Sequence, residues 1–358
     1  MSFRLRDLDW VLLSALGLLA VGSLLLLAST APDLFWKQFM WYAIAFTIIV
    51  FGSQIDWRWL GNQQWFRGGL YWLAVFLLLI SNFQSHTIRG VKSWLVVGGI
   101  QFEPVELAKL GLIFVLASFF SRKHLSAWQG KNILLSFVYT IIPAGLIVIH
   151  PDFGSTVVVM AIWAGFLLTS GINKKRLAIG VLIAIVGAVL LWSFFLEPYQ
   201  KDRMTAFLFP ERDPFGINYN VIQAKIAIGS AGFLGKGFGG GTQTQLHFLP
   251  EPETDFIFSA FIEEWGLLGG LIIILTFFLI LYRLIHIGIR APDNYSKFVV
   301  LGTVMILAVH FFINTGSNVG LLPVTGIPFP FFSYGGSSIL TASVLISIIE
   351  HIKLESSI

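Results

Sequence analysis

Apolar stretches of about twenty residues, each long enough to cross a hydrocarbon layer as a helix, follow one another along almost the whole chain. They predict spans near residues 10–28, 34–53, 68–84, 103–120, 131–149, 153–171, 175–196, 255–282, 296–315 and 334–351. Only 12% of the residues are charged, against roughly 25% in soluble domains, and mean hydropathy is +0.80. The expected fold is therefore an all-α polytopic membrane protein with about ten transmembrane helices, one integral membrane domain over residues 1–358.

The net charge of +4 does not indicate nucleic acid, because the Lys and Arg residues are scattered between apolar runs and form no basic stripe. They read as topology determinants instead. Placing both termini in the cytoplasm puts Arg4, Arg6, Arg122, Lys123, Lys174, Lys175, Arg176, Arg283 and Arg290 on that side, and leaves Lys37, Arg89 and Lys92 in short outer loops. The absence of cysteine excludes a disulfide framework, a thiolate nucleophile and a cysteine metal site. The first apolar stretch, Trp10 to Ala28, exceeds a signal-peptide core of about 7–15 residues and follows Asp7 and Asp9, so it reads as an uncleaved first helix.

One long polar stretch, residues 197–254, interrupts the pattern between helices 7 and 8. By the charge count it is a large extracytoplasmic loop. Its Gly and Pro turns alternate with amphipathic runs, which predicts short helices roofing the bundle. Within it, Gly235 to Gly241 reads GKGFGGG. A phosphate-binding P-loop needs Gly at 230 and Ser or Thr at 237, where the chain has Ser230 and Gly237, so the motif reads as a turn or a small anion nest.

Polar residues at helix ends are the candidates for chemistry. Asp255 stands where polar loop gives way to apolar helix, a half-desolvated position expected to raise its pKa toward that of a general base. The plainer role is a cap on helix 8, which Thr254 can also fill. Glu106 and Lys109 lie three apart on helix 4, either as a self-neutralising pair or as a substrate contact. Asp152, after Pro151, reads as a helix cap and as a possible second acid. His150, His247 and His310 are too dispersed for a metal triad, whereas Mg²⁺ or Mn²⁺ on carboxylates stays open. The charge-poor stretch Asn314 to Ser338 predicts irregular backbone buried in protein or beside a cavity, either a rigid re-entrant turn without ligand or a site where its amides, Ser333, Tyr334 and Ser337 bind a phosphate or sugar.

Taken together, WKQ at Trp36 to Gln38, GVKSW at Gly90 to Trp94, EPVELAK at Glu103 to Lys109, HPDFG at His150 to Gly154, YQKDR, DPFGINYN, GSAGFLGKGFGGGTQ, FLPEPETDFIFS and LPVTGIPFPFFSYGGSS resemble the SEDS family of shape, elongation, division and sporulation proteins, on its elongation side. The chain departs from the family pattern at Ser93, Glu103, Val105 and His150, with Lys92 beside the altered position.

The resemblance implies a peptidoglycan glycosyltransferase that polymerises lipid II during rod-shaped growth in the bacterial cytoplasmic membrane, beside a class B penicillin-binding protein and the elongation machinery. It carries the essential acid over to Asp255 and the ELAK pair to Glu106 and Lys109. Lys37, Trp94, Arg203, Gln243, Ser333 and Tyr334 are the further substrate-binding candidates, with Lys37, Lys109, Arg203 or a divalent cation facing the diphosphate. A lipid II flippase and a non-catalytic scaffold for a transpeptidase are the competing functions.

Overall fold

The computed structural model describes residues 7–81, 95–97, 100–123, 126–195, 198–209, 216 and 218–356. Among these, eight helices are long and apolar enough to span a membrane: α1 (Trp10–Thr30), α2 (Pro32–Gly52), α4 (Gln64–Ser81), α5 (Pro104–Lys123), α6 (Gly130–Ile149), α12 (Ile257–Arg290), α13 (Asn294–Asn318) and α14 (Gly336–Ser356). Two shorter apolar helices, α7 (Phe153–Thr169) and α8 (Lys174–Leu190), the latter continued by a π-turn over Leu191–Phe195, occupy the sixth and seventh expected spans. The protein is an all-helical polytopic membrane protein. Its one departure among the described residues is a small antiparallel hairpin, β1 (Leu95–Val97) with β2 (Ile100–Phe102), in which Val96 pairs with Gln101.

Buried on nearly every side, α5 packs against α4, α6, α7, α13 and α14. Around it α1 packs on α12, and α2 lies along α14. The start of α1 is tied to two other helices through Asp9. One carboxylate oxygen accepts the Leu12 amide at 3.1 Å, and the other accepts two bonds from Arg283 of α12 at 2.5 and 3.0 Å. The Asp9 amide donates to Glu350 of α14 at 3.1 Å. Pairing of this kind is what permits a charge in a nearly dry setting.

The long stretch before α12 contains the expected short helices, here α9 (Pro198–Leu208), α10 (Tyr219–Ser230) and α11 (Thr242–Gln245), while α3 (Trp57–Asn62) is a single short turn after α2. α10 and α11 pack on α12. Its Gly-rich segment is neither a loose turn nor an anion nest, because it is built into α12. At Gly266 the helix breaks, with φ +72° and ψ −179°, so the helical bonds from Leu267 to Glu263 and from Leu268 to Glu264 are not made. The amides of Lys236 and Gly237 donate to the freed Glu263 and Glu264 carbonyls, both at 3.0 Å. The freed amides of Leu267 and Leu268 donate to the Gly232 and Phe233 carbonyls, both at 3.1 Å. Irregular backbone at membrane depth persists only when other protein groups satisfy it in this way.

The Glu263 carboxylate, fully buried, then gathers the rest of the motif. It accepts from the Lys236 ammonium at 2.7 Å, the Gln243 amide at 2.9 Å, the Thr242 hydroxyl at 3.3 Å, and the Thr244 amide and hydroxyl at 3.1 and 2.6 Å. The Lys236 and Gly237 amides that an anion nest would have offered are spent on the Glu263 and Glu264 carbonyls. Gly235 and Gly266 face each other in left-handed conformations, and a Cβ on Gly266 would stand 2.3 Å from the Phe233 carbonyl oxygen. Gly266→Ala is expected to lower the stability of the detergent-purified protein by about 1–3 kcal/mol or more, read as a fall in melting temperature with faster proteolysis between α10 and α11.

Candidate active site

Asp255 does not cap α12. The helix begins at Ile257 with Phe256 in the cap position, two residues later than the sequence suggests, and Phe256 provides no capping bond. The first-turn amide of Ser259 is instead taken by Asn318 of α13, whose Oδ1 accepts it at 3.0 Å and the Ser259 hydroxyl at 2.7 Å. The amide end of Asn318 donates to the Asp255 carbonyl at 2.7 Å, and Asn314 donates to the same carbonyl at 3.1 Å. Two asparagines thus fix the backbone of Asp255, and one of them, Asn318, also satisfies the helix end.

This arrangement exists because α13 runs to Asn318, past the expected start of the following loop at Asn314. His310, Asn314 and Asn318, spaced four apart, share one face of α13. Asn314 also donates to the Ile327 carbonyl at 2.9 Å. One helix face therefore anchors both the Asp255 strand and the Pro/Gly-rich segment. That segment is irregular from Gly320 to Gly335, as expected. Across from Asp255 stands Gly326, where a Cβ would lie 3.9 Å from Asp255 Oδ2.

The expected pair is formed on α5. Lys109 Nζ donates to Glu106 Oε1 at 2.7 Å, and to His310 Nε2 at 3.1 Å. Lys109 is only 1% exposed, so its ammonium faces Glu106 and His310 in the bundle and not open water. His310, a residue the sequence left without a role, joins this pair to the face that holds Asp255. A cavity of about 10 Å³, room for one water, lies against Glu106, His310, Ser338 and Thr341.

Other candidates sit in varied settings. Ser333 is a clasp: its hydroxyl donates to the Thr254 carbonyl at 2.7 Å and accepts the Phe329 amide at 2.9 Å. Next to it the Tyr334 amide donates to the Glu253 carbonyl at 2.8 Å, so the 329–334 turn is stitched to the strand carrying Asp255. Gln38, buried on α2, donates to the Ser333 carbonyl at 3.3 Å, while its neighbour Lys37 is exposed. Gln243 gives its amide to Glu263 and keeps a buried side-chain oxygen that has no hydrogen-bond partner among the described residues. Asp152 occupies the cap of α7, accepting the Ser155 amide at 2.9 Å. Arg203 lies in α9, and Trp94, with Arg89 and Lys92, falls outside the described residues.

A larger cavity, about 200 Å³, was not foreseen. It opens between α10 and the segment after α13, lined by Phe207, Asn218, Val221, Lys225, Leu322 and Pro323. Lys225 gave no signal in the sequence because a lone loop lysine looks like any solvated charge.

Together these features describe a carboxylate fixed by its backbone beside an irregular segment, and a buried charge pair joined to it through one helix face. A sequence model of the cell cycle protein family that includes FtsW, RodA and SpoVE matches residues 5–358. The chain belongs to this family. It is 33% identical over 352 residues to the peptidoglycan glycosyltransferase MrdB of Escherichia coli K12, covering 97% of this chain and 94% of that one. A chain from a solved peptidoglycan synthase complex, described as coordinating polymerization and crosslinking, superposes with a TM-score of 0.84 at 28% identity over 98% of both chains. The rod shape determining protein RodA of Thermus thermophilus shares the fold, with a TM-score of 0.72 at 23% identity over 97% of this chain and 96% of that one.

Just before α5, the Glu103 carboxyl is pushed up from 4.5 to about 8, first by desolvation and then by Glu106, with Lys109 opposing and Asp152 adding to the rise. A carboxyl whose folded value is raised binds its proton more tightly folded than unfolded. Its contribution to stability is complete below pH 4.5 and is lost as pH climbs to about 8. Glu103→Gln is therefore expected to flatten the decline in melting temperature across that window, and an unchanged slope would remove Glu103 as its source.

Proposed function

We propose that Asp255 is the base of an inverting glycosyl transfer in which lipid II is polymerised into β-1,4 glycan. The chain is a multi-pass membrane protein and a peptidoglycan glycosyltransferase of the RodA kind. The observation that carries the role of Asp255 is that Asn318 takes the first-turn amide of α12 and, with Asn314, holds the Asp255 carbonyl, so the acid is fixed at the start of the helix beside Gly326. In the proposed step the Asp255 carboxylate takes the proton from the acceptor sugar hydroxyl as that oxygen attacks the donor anomeric carbon. The bond from that carbon to the prenyl diphosphate breaks, and the leaving group departs with the electron pair.

Negative charge grows on the diphosphate, so cations near it lower the barrier. Lys37 and Arg203 are proposed for that task, with a divalent ion, Mg²⁺ or Mn²⁺, as the alternative. Glu106 and Lys109 are proposed as positioning residues, because the pair reaches the Asp255 region through His310 and α13. The remaining candidates, Trp94, Gln243, Ser333, Tyr334 and the second acid Asp152, are proposed to shape the substrate surroundings.

In the proposed topology both termini are cytoplasmic and residues 197–254 lie on the outer face, where lipid-linked sugars are polymerised, within a single membrane domain. The relative from a complex that joins polymerization to crosslinking supports a transpeptidase partner. We propose a class B penicillin-binding protein, acting within the elongation machinery of the bacterial cytoplasmic membrane.

Purified protein with its transpeptidase partner and labelled lipid II is expected to yield glycan polymer, and Asp255→Asn to reduce the rate by about a hundredfold or more. Normal polymerisation by Asp255→Asn would overturn the assignment, and lipid flipping without polymer would favour a transporter. For the buried pair, removing one charge by Glu106→Gln or Lys109→Met is expected to destabilise the protein by about 3–5 kcal/mol. The double variant should recover stability but not polymerisation, since the link to His310 stays broken. Full recovery of activity would reduce the pair to charge balance.

A further inference from the structure

Away from Asp255, about 25 Å along α14 from the Ser333 clasp, the last turns of α14 meet the start of α3. There Asp56, His351 and Glu355 bring an imidazole nitrogen and two carboxylates within 4.8 Å of one another. His351 is only 9% exposed. Its Nδ1 lies 3.1 Å from the Ser53 carbonyl, which can only accept a hydrogen bond, so Nδ1 carries the N–H and in the neutral ring Nε2 carries the lone pair. Among the described residues that buried Nε2 has no hydrogen-bond partner, and it points between Asp56 Oδ1 at 3.8 Å and Glu355 Oε1 at 3.7 Å.

A nitrogen lone pair facing two carboxylate oxygens is repulsive unless positive charge stands between them. Direct N–H···O bonds would bring the atoms to about 2.7–3.2 Å. The observed separations are closer to the roughly 3.3 Å between neighbouring ligands around a tetrahedral ion with bonds of about 2.0 Å. The surroundings also favour a divalent ion. Arg58 lies 3.2 Å from Glu355 Oε2 and 3.9 Å from Asp293, so it engages the far side of Glu355 and leaves Oε1 turned to His351. Among the described residues, Arg58 is the one Lys or Arg side chain in ion pairs with the carboxylates of this cluster. Asp56 caps α3, its Oδ1 accepting the Trp59 amide at 2.7 Å, which fixes the carboxylate and leaves a second lone pair on that oxygen for an ion.

We propose that Asp56, His351 and Glu355 bind a divalent transition-metal ion of the zinc class, with water completing the coordination. Mixed imidazole and carboxylate donors select such an ion over magnesium or calcium, which prefer all-oxygen sites. The ion joins the end of α14 to the α2–α3 turn, so it acts as a stitch between elements far apart in sequence. It is independent of the glycosyl-transfer site.

The test uses the full chain in detergent, stripped with chelator and titrated with zinc by calorimetry, with cobalt absorption as a second readout. One saturable equivalent is expected, accompanied by a rise in melting temperature and insensitive to excess magnesium. Asp56→Asn and His351→Gln should each weaken binding by about tenfold or more. His351→Gln keeps a side-chain amide for the Ser53 carbonyl, so its metal-free melting temperature serves as the folding control. Absence of saturable zinc binding, or undiminished affinity in both variants, would overturn the proposal.

Discussion

At Gly266 the longest helix of the protein loses two of its own hydrogen bonds, and a loop from outside the helix replaces them with four. The amides of Lys236 and Gly237 and the carbonyls of Gly232 and Phe233 meet the backbone groups that the break exposes. In a low-dielectric bundle each of those groups, left unpaired, would cost several kcal/mol. The break and the loop therefore exist only together, and each requires a glycine where the two backbones touch. Because the loop is pinned there, the polar stretch before α12 has a fixed geometry, and the strand delivering Asp255 emerges from a rigid support. Glu263 completes this support by drawing five donors from Lys236 to Thr244 onto one buried carboxylate.

A second layer of the same logic lies on α13. His310, Asn314 and Asn318 are polar groups on a largely buried helix, and each is matched to backbone or side-chain groups of neighbouring segments. A polar residue in this position is costly alone and informative when paired. Through this face the Glu106–Lys109 pair of α5, the irregular segment after α13 and the Asp255 strand form one connected network. Ser333 and the Tyr334 amide close it from the other side. The polar residues of this region thus hold the backbone of neighbouring segments in place.

Much of this was legible in the chain itself. Continuous apolar runs gave the helices, since no other local structure satisfies the backbone in hydrocarbon. The three-residue spacing of Glu106 and Lys109 gave their pairing, and Asp152 after Pro151 gave the α7 cap. Other features were out of reach for a local reading. A Gly-rich motif looks the same whether it cradles a phosphate or plugs a helix, because the difference lies in which distant groups face its amides. Likewise Asn318 sits 63 residues from the Asp255 carbonyl that it binds, and nothing near either residue announces the partner. His351 and Asp56 come together only because α14 lies along α2.

By itself the sequence determined the membrane-spanning helical class, the polar interruption before α12 and the identity of the acid at its end, since hydrophobic length and desolvation act locally along the chain. Whether that acid caps a helix was decided only in three dimensions. The Ser259 amide needs one acceptor, and the packing of α13 against α12 brings the oxygen of Asn318 to it. The backbone position of Asp255 was set by the reach of a residue on another helix.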